Sequence, residues 1–367
     1  MLPKRKLMIP GPAEVEDVVL AEMGKQVAAH YGPEWAELYG ETVNLLKGIF
    51  GTEGDVFLLA GPGNAGVEAV VATLFAPGER VLIGNNGFFG DRMGEIARAR
   101  ELDVVEVTAV WGNPLDPSAI DAALRQDPTI AGLIAVHHET STGVLNPVQQ
   151  LGAVARRHGV LFAVDAVASL GAEIVKMDAW GIDACVASSN KGLGSFPGLA
   201  PVAVGKQVWE QIAHKTHKAG WYLDLRTWQK YGQDAWHPSP VTVSSNAVEA
   251  LHAGVQAIVE EGLENRAAEF KRIATLFRGE IVKRGFGLLA EGDCASSVLT
   301  AVTPPPDLDI THMLNTLREE KGIHVGNGLG KLYGHMARVG HLGRARSEVY
   351  VAALLEAIDD YMAEVAA

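Results

Sequence analysis

The stretch from Val160 to Ala200 reads VLFAVDAVASLGAEIVKMDAWGIDACVASSNKGLGSFPGLA. It contains two short apolar runs, Val160–Val164 and Ile182–Ala187, which have the length and composition of buried strands. Asp165 directly follows the first run, and Lys191 lies shortly after the second. Because open α/β sheets bind ligands outside the carboxyl ends of their strands, we expect this carboxylate and this amine to share one site.

Such a pair suits pyridoxal 5'-phosphate (PLP). The lysine would form a Schiff base with the cofactor, and the carboxylate would keep the pyridine nitrogen protonated, so that the ring accepts electrons. The other interpretation is a surface lysine after a strand and an ordinary aspartate at a strand end. The two residues alone leave both interpretations open.

Length and composition set the broad class of the protein. The chain has 367 residues, of which 48% are hydrophobic and 20% charged, and it contains 41 glycines. This length predicts two domains, and the composition is typical of a soluble α/β protein with a large core. The net charge of −13 argues against nucleic acid or an acidic membrane as a partner.

Signals for metal binding and for targeting are weak. The two cysteines, Cys185 and Cys294, are too few and too scattered for a metal or disulfide framework, so we expect no metal. The N-terminal MLPKRKLMIPGP carries basic residues but no apolar stretch of signal-peptide length, and no window approaches a membrane span. The default expectation is a cytoplasmic location.

Strands alternate with helices between about residues 55 and 205, which predicts a mostly parallel central sheet covered by helices. We expect an N-terminal arm over residues 1–20 rather than a regular element, a large domain over residues 21–245 and a smaller C-terminal α+β domain over residues 246–367. A first helix is expected from about Val15 to Ala29.

The glycine-rich turn Gly61-Pro62-Gly63-Asn64-Ala65-Gly66 lies between an expected strand and a helix expected over Val67–Leu74. Backbone N–H groups at such a turn, together with the helix dipole, form a phosphate site, and glycines allow close approach. The turn is not a Walker loop, because no lysine followed by serine or threonine comes in register, and it matches GxGxxG by spacing only. A phosphate site is therefore one interpretation of the turn, and an ordinary tight turn is the other.

Phe88 and Phe89 fall in an expected loop over residues 85–90, at the end of a strand. We expect one of the two rings to stack on a cofactor and the other to pack in the core. The following cluster, His137-His138-Glu139, does not predict a metal site, because adjacent histidines cannot easily share one ion. The hydroxyl groups of residues 140–142 are better candidates for binding a small molecule.

Arg338 lies in a short apolar strand, within His335-Met336-Ala337-Arg338-Val339-Gly340-His341. A buried arginine needs an anion, and a substrate carboxylate held through two hydrogen bonds would satisfy it. From spacing alone, an ion pair with an aspartate or glutamate of the chain is the favoured interpretation.

Taken in order, motifs over nearly the whole chain resemble those of the class V (fold-type I) aminotransferases, specifically the alanine–glyoxylate and serine–glyoxylate aminotransferase group. Several motifs in the right order are far more specific than any one of them. The matching segments are PGP at 10–12, AGPGNAGVEA at 60–69, NGFFGDR at 86–92, HETSTGVLNP at 138–147, VDAVASLG at 164–171, SSNKGLGSFPGLA at 188–200 and ARVGHLG at 337–343.

The resemblance implies a role for each matching residue. Lys191 would hold PLP covalently and move a proton between the substrate and the cofactor, while Asp165 would pair with the ring nitrogen. Arg338, helped by the backbone near Gly11, would bind the substrate α-carboxylate. Gly63 and Asn64 would bind the phosphate, and Phe89 occupies the place of the aromatic residue that stacks on the ring. Thr140 sits where a hydroxyl group of relatives contacts the cofactor, and Asn190 stands where many relatives have glutamine.

The resemblance also implies a homodimer with shared active sites, in which a segment of the partner subunit closes the phosphate site. The matching segment here is Trp236–Ser239. The usual threonine is replaced by Pro238, which leaves Ser239 as the nearest hydroxyl. Pro62 also stands where some relatives have a hydroxyl, so the phosphate site differs in detail.

The implied activity is the transfer of an amino group from a small amino acid, alanine or serine, to a 2-oxo acid, glyoxylate or pyruvate, by a ping-pong mechanism. Pyridoxamine–pyruvate or 2-aminoethylphosphonate aminotransferase activity is the alternative, and the His137-His138 pair also resembles the pyridoxamine–pyruvate subgroup. A PLP lyase or cysteine desulfurase is a weaker alternative, because no cysteine lies in residues 325–343.

Overall fold

The computed structural model describes residues 4–366. The strands are β1 Lys6–Met8, β2 Asp55–Ala60, β3 Arg80–Asn85, β4 Asp103–Thr108, β5 Ile130–Val136, β6 His138–Glu139, β7 Val144–Leu145, β8 Leu161–Asp165, β9 Ala184–Val186, β10 Leu199–Val204, β11 Gly287–Leu288, β12 Leu299–Thr303, β13 Ile323–Asn327 and β14 Ala337–Gly340. The helices are α1 Asp17–Met23, α2 Pro33–Phe50, α3 Gly63–Leu74, α4 Phe88–Ala99, α5 Pro117–Gln126, α6 Val148–His158, α7 Met177–Trp180, α8 Lys206–Ile212, α9 Leu225–Tyr231, α10 Ser245–Glu261, α11 Leu263–Lys283, α12 Ile310–Glu319 and α13 Glu348–Ala366.

The larger sheet has seven strands in the order β2-β10-β9-β8-β5-β3-β4. The last five strands in this order, from β9 to β4, run parallel to one another. Strand β10 runs antiparallel to both β2 and β9. The carboxyl ends of β5, β8 and β9 therefore meet at one edge of the sheet, where a ligand site is expected.

Side chains of the sheet alternate between two hydrophobic cores. Leu133 and Phe162 belong to one core, whereas their chain neighbours Ile134 and Ala163 belong to the other. Successive side chains of a strand point to opposite faces, so both faces of this sheet are buried. This explains why its strands read as continuous apolar runs in the sequence.

A second sheet has five strands in the order β1-β13-β14-β12-β11 and packs with α11, α12 and α13 around a third core. Its edge strand β1 comes from the N-terminus and pairs in parallel with β13. The segment over residues 1–20 is thus more regular than the expected arm, although residues 1–3 lie outside the described part of the chain. The division into domains at residues 20 and 245 stays a prediction.

The fold class predicted from the sequence is confirmed, and three local expectations are wrong. The helix expected from Val15 to Ala29 covers only Asp17–Met23. The helix after the glycine turn begins at Gly63, not Val67, and Phe88 and Phe89 form the first turn of α4 rather than a loop. Over residues 4–366, the structure contains no helix with the length and apolar character needed to cross a membrane.

Candidate active site

A cavity of about 480 Å³ opens where β5, β8 and β9 end. This volume lies within the range of roughly 300–1,000 Å³ that is usual for small-molecule sites. The cavity is lined by Gly61, Pro62, Gly63, Asn64, Phe89, Val136, His138, Thr140, Asp165, Val167, Ala168, Ser188, Asn190, Lys191, Pro197 and Gly198. Seven of the sequence-predicted site residues therefore line one cavity: Gly63, Asn64, Phe89, Thr140, Asp165, Asn190 and Lys191.

Lys191 follows β9 and turns its amine toward the N-terminal segment. Its Nζ donates a hydrogen bond to the backbone oxygen of Pro10 at 2.6 Å. Burial lowers the pKa of Lys191 to about 8, and the nearby Arg338 charge acts in the same direction, while Asp165 opposes both. A substantial fraction of the amine is therefore neutral near physiological pH, as a nucleophile or a base requires.

Asp165 is the last residue of β8 and is buried. Burial raises its pKa to about 6; the hydrogen bond from the Val167 N–H at 2.8 Å and the charge of Lys191 act against this rise. A buried carboxylate is stabilised by a neighbouring cation, so this position suits a protonated ring nitrogen.

The glycine turn becomes the N-terminus of α3, with Pro62 as its N-cap residue. The first N–H groups of a helix lack intrahelical partners, and Gly63 and Asn64 present theirs at the cavity wall. A Cβ atom at Gly63 would lie 2.6 Å from Val167 Cγ2, so a side chain there would close the cradle. The arrangement suits an anion such as a phosphate group.

Phe89 lies at the N-terminus of α4 and is fixed there by Glu139. One carboxylate oxygen of Glu139 accepts hydrogen bonds from the N–H groups of Phe89 and Gly90, each at 3.0 Å. The other oxygen accepts from the N–H and the hydroxyl of Ser141, at 3.0 and 2.6 Å. Phe88 packs edge-to-face on Phe89 and does not line the cavity. Phe89, which lines the cavity, is also the ring that packs against a hydrophobic core, so the expected placement of the other ring in the core is wrong.

Arg338 lies on β14 and is 9% exposed. Its Nε donates to the backbone oxygen of Asn327 at 2.7 Å, and its Nη1 donates to that of Thr140 at 3.2 Å. Within residues 4–366 it forms no ion pair with a carboxylate, so the internal ion pair favoured from spacing is wrong. Burial lowers the pKa of Arg338 to about 10, and such a guanidinium is a ready partner for a ligand carboxylate.

Gly11 lies against the side chain of Lys191. A Cβ atom at Gly11 would lie 2.5 Å from Lys191 Cδ and 2.7 Å from Nζ. Gly11 also has a φ of +124°, a conformation that side-chain-bearing residues rarely adopt. Glycine is therefore needed here both for the backbone conformation and for the space around the amine.

Three predicted site residues do not line the cavity. Gly11 packs against Lys191 and Arg338 donates to Thr140, both of which line it, whereas Ser239 bonds within its own segment. It is fully buried, and its hydroxyl donates to the backbone oxygen of Val241 at 2.9 Å. The nearby Trp236 and Tyr31 stack with 6.4 Å between ring centroids and remain more than half exposed. Within one subunit, Ser239 thus contributes nothing to the pocket.

Two site residues were not predicted from the sequence. Val167 lines the cavity two positions after Asp165, which is the spacing of side chains on one face of an extended chain. Glu139 is fully buried and connects α4 to the β6–β7 turn. In the sequence, only the position of Glu139 between two histidines and three hydroxyl-bearing residues indicates that it could belong to the site.

The donor set fits PLP. A helix N-terminus stands at one end of the cavity for a phosphate, and a buried acid stands deeper in it for a protonated ring nitrogen. An amine with a lowered pKa lies in the same cavity for covalent attachment. The glycine at position 63 allows Val167 to approach more closely than a Cβ atom would permit.

Comparison with known proteins agrees with this fit. The family model described as aminotransferase class-V matches residues 17–360. The (S)-ureidoglycine–glyoxylate transaminase of Bacillus subtilis is 31% identical, covering 97% of this chain and 91% of that protein. The pyridoxamine–pyruvate transaminase of Mesorhizobium japonicum is 28% identical, covering 96% and 90%. Among solved structures, an alanine–glyoxylate aminotransferase from Nostoc sp. superposes with a TM-score of 0.95 at 32% identity, covering 99% and 96% of the two chains.

Proposed function

The chain belongs to the class V aminotransferases and uses PLP, and we propose that it transfers an amino group from alanine or serine to glyoxylate or pyruvate. The observation that carries the proposal is the placement of Lys191 and Asp165 in one cavity with a helix N-terminus. The acceptors are suggested by the relatives, whose names specify glyoxylate and pyruvate.

Lys191 is proposed as the catalytic residue. PLP, when bound, supplies an aldehyde carbon that reacts with amines and a protonated ring that withdraws electrons. Lys191 would hold PLP through its amine and, once released by the amino donor, would accept the α-proton of the donor as a neutral base. Its lowered pKa of about 8 supports this role, because proton transfer is most efficient when the pKa of the base lies near the working pH.

Asp165 and the start of α3 are proposed to orient the cofactor. An ionised Asp165 stabilises a proton on the ring nitrogen, and that proton in turn relieves the cost of burying the carboxylate. The N–H groups of Gly63 and Asn64 hold the phosphate, and Asn190 lines the wall next to Lys191. Phe89 and Val167 provide the apolar surfaces for the two faces of the ring.

Arg338 is proposed to bind the α-carboxylate of donor and acceptor. Two of its guanidinium nitrogens are fixed by backbone oxygens, and within the described chain no carboxylate forms an ion pair with it. A Cβ atom at Gly326 would lie 3.0 Å from Pro10 Cδ and 3.6 Å from Arg338 Nη2, and the Pro10 oxygen accepts the hydrogen bond of the Lys191 amine, so the two cations are neighbours. A carboxylate at Arg338 would therefore place the α-amino group of a substrate near Lys191, with the backbone of Gly11 beside it.

The proposal is tested by absorbance spectra of the purified PLP-bound protein mixed with single amines, in the absence of any 2-oxo acid. Alanine and serine should shift the cofactor absorbance, and glyoxylate or pyruvate should restore it. Lys191→Ala should abolish turnover, whereas Lys176→Ala, at an exposed position, should not. If no amine in the panel shifts the spectrum, the aminotransferase proposal for this site is wrong.

Pyridoxamine–pyruvate transamination is the second candidate, because the relative from Mesorhizobium japonicum has that activity in its name. In a protein of this kind the free vitamer, without phosphate, would take the place of the cofactor, with pyridoxamine as the amino donor. Competition between free pyridoxal and PLP for the apoprotein separates the two candidates, since a functional phosphate cradle favours PLP. A desulfurase is disfavoured because Cys294 lies on the Gly292–Cys294 turn and does not line the cavity.

We further propose that the protein is a homodimer and that the partner subunit completes the phosphate site with its Trp236–Ser239 segment. Support comes from the exposed aromatic cluster in which Trp236 stacks on Tyr31 and His30 contacts Tyr31 and His237 edge-to-face. Exposed aromatic clusters are typical of protein interfaces. The cytoplasmic location stays a prediction.

A further inference from the structure

Arg266, on α11, is a nearly buried cation to which the proposed function gives no role. Its side chain is 12% exposed. Its Nε donates to the backbone oxygen of Gly171 at 2.6 Å, and its Nη2 donates to that of Gly192 at 3.3 Å. Arginine side chains are rarely buried without such partners, and the planar guanidinium can donate to several acceptors at once. The guanidinium therefore joins two separate segments of the chain.

The two segments are those that carry the proposed catalytic pair. Gly171 lies six residues after Asp165, and Gly192 directly follows Lys191. The segments touch through their backbones: a Cβ atom at Gly192 would lie 2.3 Å from the backbone oxygen of Leu170, and one at Gly171 would lie 2.8 Å from that of Gly192. The two glycines allow this close approach, and the guanidinium spans it.

Arg266 supplies the hydrogen bonds that these two carbonyl groups otherwise lack. Gly171 and Gly192 are both buried, and within residues 4–366 no backbone N–H donates to either carbonyl oxygen. A buried carbonyl group without a partner is costly. The guanidinium therefore favours the spacing of the two segments at which it reaches both oxygens.

Lys191 depends on this contact more than Asp165 does. Asp165 is the last residue of β8 and pairs with both neighbouring strands, opposite Val136 and Val186. Lys191 lies in the turn between β9 and β10, outside any strand. Strand pairing therefore fixes the acid, whereas the turn that carries the amine relies on contacts with other parts of the chain.

Glu261 and Arg346 hold Arg266 in place. Glu261, the last residue of α10, accepts hydrogen bonds from Arg266 at 2.7 Å and from Arg346 at 3.1 Å. Both guanidinium groups also lie over the ring of Phe270, at 5.4 and 5.0 Å from its centroid. Because Glu261 has a second cationic partner, an uncharged residue in place of Arg266 would not leave this acid unpaired.

We propose that Arg266 is a positioning residue, which holds the Lys191 turn where its amine can attach to the cofactor. The inference rests on the proposed function, because it takes Lys191 as the residue that binds PLP covalently. It goes beyond that function by assigning a role in the reaction to a cation that does not line the cavity.

The test compares two ligands of the apoprotein: PLP, which attaches covalently, and pyridoxamine 5'-phosphate, which shares the ring and the phosphate but has no aldehyde. Arg266→Met removes the hydrogen-bond donors and keeps a side chain of similar length. It should weaken PLP about tenfold, the usual effect of losing a hydrogen bond to a charged group, and should change the affinity for pyridoxamine 5'-phosphate by less than about twofold. Borohydride trapping and mass spectrometry should show the same loss in the covalently attached fraction.

Arg272→Met is the matched control on the same helix. Arg272 is half exposed and pairs with Glu269 and Glu348 at the surface, so its replacement should change neither affinity. If Arg266→Met does not fold, Arg266→Lys is measured in the same way; it keeps the charge but not the planar fork, and should show the same selective loss. An equal loss for both ligands, or no loss for either, overturns the inference. Failure of the wild type to attach PLP covalently would instead contradict the proposed function.

Discussion

Gly11 packs closely against the side chain of Lys191, the proposed catalytic residue. An alanine there would require an unfavourable φ and would place its methyl group within 2.5 Å of the Lys191 side chain. We predict that Gly11→Ala reduces covalent capture of PLP by at least about tenfold, since strain of this kind costs about 1–3 kcal/mol. Capture is measured by borohydride trapping followed by mass spectrometry.

Gly220 provides the control for this prediction. It also has a positive φ, of +95°, but no atom lies within 4 Å of a Cβ atom built there. Gly220→Ala should therefore lower stability without changing PLP capture. Equal capture in the two variants would show that the space around Lys191 does not depend on Gly11.

The pKa of Lys191 leads to a prediction about the apoprotein. Only the neutral amine attacks the aldehyde, and a folded-state pKa lowered from 10.5 to about 8 makes the neutral form available at lower pH. The rate of PLP capture should rise about tenfold per pH unit below pH 8 and level off above it. A rate that keeps rising toward pH 10.5 would mean that burial does not perturb this amine. Stopped-flow absorbance at a series of pH values, with free lysine as the reference amine, distinguishes the two cases.

Among the secondary-structure elements, α3 and α4 best show what the sequence could and could not predict. The strands β2 and β5 can be recognised in the sequence, because both faces of the sheet are buried and the apolar runs are therefore continuous. The two helix starts were misplaced, because neither Pro62 nor Gly87 provides a capping side chain. In α4 the partner for the first N–H groups is Glu139, some 50 residues away, and in α3 those groups face the cavity.

The hydrogen bonds that Glu139 accepts from Phe89 and Gly90 lead to a prediction about the stability of α4. Replacing Glu139 with glutamine places an amide NH₂ against N–H donors and leaves buried groups unpaired. We predict that Glu139→Gln lowers the free energy of unfolding by about 1–3 kcal/mol and also weakens PLP binding, because Phe89 loses its anchor. Urea unfolding and PLP titration measure the two effects.

Glu95→Gln serves as the comparison on the same helix. Glu95 is exposed and pairs with Arg92 at the surface, so its loss should change stability by no more than about 0.5 kcal/mol. If the two variants behave alike, the carboxylate of Glu139 does not hold α4 in place.

For the whole molecule, the site residues that the sequence could predict are those attached to strand ends and motifs, such as Asp165 and Lys191. Arg338 was located correctly, but its backbone partners Asn327 and Thr140 depend on the packing of the two sheets, which the sequence does not specify. The β1 strand could not be predicted either, because a strand of three residues carries no periodic signal and its partner is β13.

The proposed homodimer leads to a prediction about PLP affinity. If the partner subunit completes the phosphate site, PLP affinity should fall when the protein is diluted enough to dissociate. Trp236→Ser should weaken both dimerisation and PLP binding, measured by analytical ultracentrifugation and titration on the same samples. Val349→Ser, at another exposed apolar position on α13, is the control and should change neither. A wild type that is monomeric and still binds PLP tightly would contradict the shared site.

The pairing of β1 with β13 also has a consequence for synthesis of the protein. Lys6–Met8 are synthesised more than 300 residues before their partner strand, which begins at Ile323. At a usual elongation rate of about 5–20 residues per second, the first strand waits roughly 15–60 s for its neighbour. Pro10, whose oxygen accepts the hydrogen bond of the Lys191 amine, lies two residues after this strand, so the surroundings of that amine are fixed only after β13 has been synthesised.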